Sequence, residues 1–201
     1  MSLKDAKINF LVDVATDLFI NRSIQDVTMK DIATAAQVGE ATLYRYFGKK
    51  QTLVMKVALK LRGLITSDYF RLDQMDVGYG QLEIFYMSYL EIFKEHRELY
   101  KFIREFDMYM RGEDKDSLEQ YESAISLFKT EYVKAYKLGV KDGSVKPQED
   151  IEMFYFSTTH ALLELCKKLA MKEVLNQDKT IDKEKEIKCL INLYLESIKN
   201  F

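Results

Sequence analysis

The 201-residue chain contains one proline, Pro147, and eight glycines. With so few backbone breaks, helices can run long. Stretches that alternate apolar and polar residues with period two are scarce, which leaves little material for half-buried strands. No apolar run approaches the roughly 20 residues that a helix needs to cross a bilayer. The first residues lack the basic start and apolar stretch of a secretory signal. Cysteine is nearly absent: Cys166 and Cys189 stand alone, the pattern of buried thiols in a cytoplasmic chain rather than of a disulfide. The two histidines, His96 and His160, have no metal-ligand spacing to a cysteine or carboxylate. There is no G-x-S-x-G elbow, P-loop or dinucleotide fingerprint. These absences argue against an enzyme, a resident metal or cofactor, and a membrane partner.

What is present suits a folded chain. Hydrophobic residues make up 47% and charged residues 31%, too apolar for disorder. The net charge of −2 is unevenly spread: the first 60 residues hold nine Lys and Arg against six Asp and Glu, and the rest hold 21 against 26. A modestly basic N-terminal unit on an acidic body follows. Apolar spacings of three and four predict helices over 3–22, 29–36, 40–47, 50–70, 81–94, 97–110, 116–140, 148–175 and 183–199, with a connecting loop over 73–80. The expected fold is therefore all-α, with nine helices.

Within the basic unit, Thr28 reads as an N-cap with Asp31 three residues on, a variant of the capping box. "QVG" makes a turn, and Gly39 is an acceptable cap for the next short helix. Short helix, tight turn, short helix is the layout of a helix-turn-helix, whose second helix enters the DNA major groove. The second helix holds "TLYRYF". At 100° per residue, Leu43 and Phe47 share one side. Arg45 points opposite, near Ala41 and Thr42, and Tyr44 and Tyr46 flank the stripe. A core-facing back and an arginine-centred front suit contact with an anion. Arg45 can reach base edges or phosphates, and the hydroxyls of Thr42, Tyr44 and Tyr46 can donate to phosphate oxygens. Lys50 would add charge at the start of the following helix.

The stretch "FLVDVATDLFINRSIQDVTMKDIATAAQVGEATLYRYFGKKQTLVMKV" resembles the N-terminal domain of the TetR family of transcriptional regulators, over about residues 8–57. The residues that carry the likeness are Leu18, Phe19, Thr28, Ile32, Ala33, Ala36, Val38, the run 42–47, Lys50 and Leu53. The resemblance implies a DNA-binding domain over 1–50, with its motif at 28–47, and a helical effector-binding and dimerisation domain over 51–201. It implies that Thr28 and Lys30, at the start of the first motif helix, hold the DNA backbone alongside Ala41, Thr42, Tyr44, Arg45, Tyr46 and Lys50. The chain departs from the family at Ser23 and Gln37, where glycine is usual. A left-handed backbone at either would cost on the order of 1 kcal/mol. Glu40 is a first-turn acid that suits the helix dipole, or an acceptor for a cytosine amino group.

The remaining 140 or so residues are rich in aromatics. Tyr86, Tyr89, Phe93, Phe102, Phe106, Phe128, Tyr132 and Phe154, with His160 as a polar contact, are the expected lining of a pocket for a small apolar or aromatic effector. Thr158, Leu162, Leu165 and Leu169 form one apolar stripe, and Ile187, Leu190, Ile191 and Tyr194 another. The resemblance implies that these last two helices pair with their copies in a homodimer. Two recognition helices about one DNA turn apart would then read a near-palindromic double-stranded operator. The expected function is a cytoplasmic DNA-binding regulator, a repressor that a small molecule releases. The alternative is a helical ligand-binding protein whose DNA recognition has decayed.

Overall fold

A computed structural model describes residues 2–112, 115–172 and 176–200, except the side chains of 115–117 and 177. Among the described residues the chain is all-α. Its helices are α1 Leu3–Asn21, α2 Met29–Ala35, α3 Glu40–Phe47, α4 Lys50–Asp68, α5 Gly78–Glu95, α6 Arg97–Tyr109, α7 Lys115–Asp142, α8 Ile151–Ala170 and α9 Lys183–Ile198. Single 3-10 turns lie at Leu72–Gln74 and Asn176–Thr180, and one isolated bridge joins Val145 to Lys199. Among the described residues, no helix is long and apolar enough to cross a membrane.

Helix starts follow from local caps. Ser2 and Asp5 form a capping box on α1, and Thr28 and Asp31 form one on α2. Asp150 and Asp182 accept backbone N–H groups at the starts of α8 and α9. Two helices, α5 and α8, differ from the sequence expectation by three residues or more at a boundary. Helix α5 begins at Gly78 rather than 81, because distant side chains cap it: Asp142 accepts from the Gly78 N–H at 2.8 Å and Ser144 Oγ from the Tyr79 N–H at 3.1 Å. Helix α8 runs over 151–170 instead of 148–175. Asp150 sets its start, Met171 turns extended at its end, and residues 173–175 lie outside the described residues.

Contacts group the chain into two compact units, Met1–Gly63 with Lys101–Glu122, and Leu64–Tyr100 with Ser123–Phe201. In the first, Leu11, Ala15 and Phe19 of α1, Ile32 of α2, Leu43 and Phe47 of α3, and Leu53, Val54 and Val57 of α4 are buried. Phe106 packs on Phe102 and Tyr121 at centroid distances of 6.2 and 4.7 Å. In the second, α9 packs on α5 and α8. Phe85 sits among the rings of Phe70, Tyr86 and Tyr132 at 5.4, 5.5 and 4.9 Å, all edge-to-face. That arrangement sets positive ring edges against negative ring faces.

The two positions where glycine is usual behave differently. Ser23 is not left-handed; its Oγ accepts the Gln25 N–H, and its carbonyl accepts the Asp26 and Val27 N–H groups. Gln37 has φ +53°, the one positive φ outside glycine among the described residues. Relief of that left-handed strain is expected to make Gln37→Gly more stable by about 0.5–1 kcal/mol, with the greater freedom of glycine in the unfolded chain limiting the gain. Urea unfolding at equal m-value measures it. A destabilised variant would mean that the Gln37 side chain contributes more than its backbone costs.

Candidate nucleic-acid interface

Helix α2, its turn and α3 form one continuous surface. The turn closes when the Ala36 N–H donates to Ile32 O and the Val38 N–H to Ala33 O, both at 2.9 Å, and Gly39 then caps α3 with extended backbone. Leu43 and Phe47 are buried, so α3 is anchored by one side. Glu40, Ala41, Tyr44 and Arg45 are exposed on the other, and Thr42 and Tyr46 are half-buried. The Arg45 guanidinium lies 5.3 Å from the Tyr46 ring centroid, a cation–π contact that holds the arginine without consuming its donors. Gly48, at φ +69°, ends the helix.

At the start of α2, Thr28 and Lys30 are exposed. The Thr28 hydroxyl accepts from the Asp31 N–H at 3.1 Å and donates to Asp31 Oδ2 at 2.8 Å, so its proton is already used. The hydrogen bonds from the Thr28 backbone N–H and hydroxyl hold the Asp31 carboxyl below its ordinary 3.8. The stabilisation it gives is present above about that pH and is lost as pH falls through the lower folded value.

Lys50 requires a correction. Sequence reasoning turns its charge toward DNA, whereas the structure turns it inward. Its ammonium donates to the Ile24 carbonyl and lies 6.0 and 5.1 Å from the ring centroids of Phe19 and Tyr109. Burial lowers its pKa, opposed by the nearby Asp26 and Asp31. An ammonium with a carbonyl and two aromatic faces around it is satisfied inside the fold. Glu105 on α6, which sequence reasoning missed, accepts the Ile24 N–H at 2.6 Å. No spacing in the sequence marks it.

The expected pocket residues do not form one group. Phe102 and Phe106 belong to the first unit, the others to the second. Tyr86, Phe93, Phe128 and Tyr132 are buried in packed rings, while Tyr89 and Phe154 are half-buried. The Tyr86 hydroxyl lies 2.8 Å from both the Tyr132 hydroxyl and Thr158 Oγ1, and burial raises its pKa to about 12. Contrary to expectation, His160 is exposed, with its ring 5.5 Å from that of Phe156. The pairing stripes are corrected too. Thr158, Leu162, Leu169, Ile187 and Ile191 are buried within the chain and are not free to meet a second copy. Leu165, Leu190 and Tyr194 are half-buried, and the Tyr194 ring lies 5.6 Å from that of Tyr86. The faces left open carry Met153 and Phe156 on α8 and Leu193 on α9, which are 62%, 39% and 63% exposed. A shallow groove of about 350 Å³ runs along Lys185, Lys188, Cys189, Asn192, Leu193 and Glu196. Among the described residues no three His, Cys, Asp or Glu side chains gather as metal ligands would.

Residues 11–57 match the family model described as bacterial regulatory proteins, tetR family. The HTH-type transcriptional repressor KstR2 of Mycolicibacterium smegmatis is 28% identical over 150 residues, 72% of this chain and 70% of that protein. Among solved structures, the ketosteroid transcriptional regulator KstR2 of Mycobacterium tuberculosis superposes with a TM-score of 0.67 at 15% identity, over 97% of this chain and 96% of that one. The transcriptional regulator FadR from Bacillus subtilis, in complex with stearoyl-CoA, does so with 0.72 at 14% identity, over 94% and 98%. At such identities the structural likenesses speak for the fold.

Proposed function

We propose, on the tetR-family match over residues 11–57 and the likeness to the repressor KstR2, that this chain is a TetR-family DNA-binding regulator, a repressor that binds a near-palindromic operator as a homodimer and is released by a small apolar effector. The observation that carries this reading is the α3 surface: buried Leu43 and Phe47 behind, exposed Arg45 and Tyr44 in front. Residues 1–50 are the reading head, supported by the rest of the first unit, and the second unit, Leu64–Tyr100 with Ser123–Phe201, binds effector and partner. Arg45 reads a base edge or phosphate. Ala41 lets the backbone approach, and Thr42, Tyr44 and Tyr46 bind phosphate oxygens. The start of α2, with Lys30, takes the neighbouring phosphate through its free N–H groups and dipole. Thr28 fixes the direction of that start.

The effector site is the aromatic cluster of the second unit, with Tyr86, Tyr132 and Thr158 as its polar centre. An effector with a large apolar body and one hydrogen-bonding group fits that chemistry, since its polar group replaces hydroxyl contacts that now close on each other. The ketosteroid in the name of one structural neighbour and the stearoyl chain of the stearoyl-CoA bound to the other each have such an apolar body. Release is a population shift: effector binds more tightly to dimers whose reading heads are wrongly spaced, and operator weakens effector by the same factor. Selection from random duplexes at fixed salt tests the reading. Enrichment of a near-palindrome is the expected result, and a folded dimer that enriches nothing contradicts it.

The dimer uses the open faces of α8 and α9, where Leu193 is the large apolar residue left most exposed. Leu193→Glu is expected to sediment as a monomer at concentrations where the wild type is a dimer. Its operator affinity should fall at least about tenfold, because a charge buried at the centre of an interface costs several kcal/mol. An unchanged sedimentation coefficient would place the interface elsewhere.

A further inference from the structure

We infer that Glu105, far from the motif in sequence, is a positioning residue for DNA binding; this rests on the operator-binding reading above. The turn between α1 and α2 satisfies most of its own polar groups. Ser23 takes the N–H groups of residues 25–27, and the Arg22 guanidinium takes the Asp26 carbonyl at 3.2 Å. The peptide groups of Ile24 are held differently, by side chains from two other helices. Its N–H donates to Glu105 Oε2 of α6 at 2.6 Å, and its carbonyl accepts from the Lys50 ammonium of α4. The Ile24 side chain is fully buried, so its backbone has no cheap route to water.

The placement gives this clamp its consequence. Ile24 stands four residues before Thr28, which caps α2, and Lys50 stands two residues after Gly48, which ends α3. The Lys50 bond therefore ties together the two ends of the helix-turn-helix. Glu105 ties the same residue to α6. With both arms in place, α2 has one direction, and its exposed Lys30 meets a phosphate beside α3 without the helix first being ordered. Without Glu105 the Ile24 N–H must find another partner, the turn loosens, and α2 pays an ordering cost on each binding event. This explains an acidic side chain close to a surface that must attract DNA: the carboxylate is spent on a backbone donor.

Operator binding is compared for wild type, Glu105→Ala and Glu105→Gln across a range of salt, at concentrations where each is dimeric and folded. The alanine variant is expected to lose about 5- to 10-fold in affinity, and the magnitude of its salt slope should fall by about 1, the signature of one phosphate contact no longer made. The glutamine variant keeps an acceptor oxygen and should stay within about twofold of wild type. If the alanine variant does not fold, Lys50→Met, which frees the carbonyl of the same residue, is expected to show the same loss of affinity and slope. An alanine variant with wild-type affinity and slope overturns the inference. Equal losses in the alanine and glutamine variants, with the slope unchanged, overturn it as well. A wild type that binds no duplex in the same assay overturns the operator-binding reading itself and this inference with it, an outcome the variants alone cannot mimic.

Discussion

Gly78→Ala is expected to destabilise the chain by about 3 kcal/mol or more. A Cβ at Gly78 would lie 2.0 Å from the Gly139 nitrogen, 2.3 Å from its Cα and 2.6 Å from the Ala135 carbonyl oxygen. All three are backbone atoms of α7, so no side chain can swing aside. The helices would have to separate, and the capping bond from the Gly78 N–H to Asp142 at 2.8 Å would stretch with them. Gly139 has no spare room either, because a Cβ there would meet Val145 Cγ2 at 2.3 Å. In a chain of this size the expected fall in melting midpoint is roughly 6–12 °C. Gly63→Ala is the matched control: it lies inside α4 with nothing within 4 Å of an added Cβ, and alanine there should gain up to about 1 kcal/mol. Calorimetry of both variants checks the pair. Equal small shifts would mean that the Gly78–Gly139 approach is looser than the structure has it.

Arg45→Ala is expected to cost about 1–3 kcal/mol of operator binding, roughly 5- to 150-fold, and to relax specificity at one position of each half-site. The arginine is exposed, sits at the middle of the outward face of α3, and rests on the Tyr46 ring with its guanidinium edge free for base or phosphate. It makes no contact that supports the core, so the variant should unfold at the wild-type midpoint. Binding at several salt concentrations separates the two roles. A loss that is the same for operator and unrelated duplex, with a flatter salt slope, makes Arg45 a phosphate contact. A loss confined to operator makes it a base reader. Wild-type affinity on both would remove it from the interface.

The helices were legible because their apolar residues recur at three and four and their starts carry Ser, Thr or Asp caps, which act within a single turn. The start of α5 was not, because its caps, Asp142 and Ser144, come from more than sixty residues away. The outward face of α3 follows from a helical wheel once Leu43 and Phe47 are taken as core. Direction is the part a wheel cannot give to a long flexible side chain: Lys50 could reach out or in, and a carbonyl with two rings drew it in. The stripes on α8 and α9 were visible, but five of their residues, Thr158, Leu162, Leu169, Ile187 and Ile191, pack within the chain. The most apolar face of each helix, with Leu162 and Ile191, is spent inside the chain, and the outward face is mixed, with Phe156 beside His160 and Leu193 beside Cys189 and Asn192. Glu105 had no signature, because one carboxylate accepting one backbone N–H leaves no pattern.

Hydrogen exchange on the folded protein, with and without a selected duplex, tests most directly the claim that α2 and α3 read DNA. The predicted result is slowed exchange over residues 28–31 and 39–46 when duplex is added, reversed by raising the salt and absent with an equal mass of unrelated DNA at that salt. Protection confined to α8, α9 or the aromatic cluster, with these segments unchanged, would contradict the account.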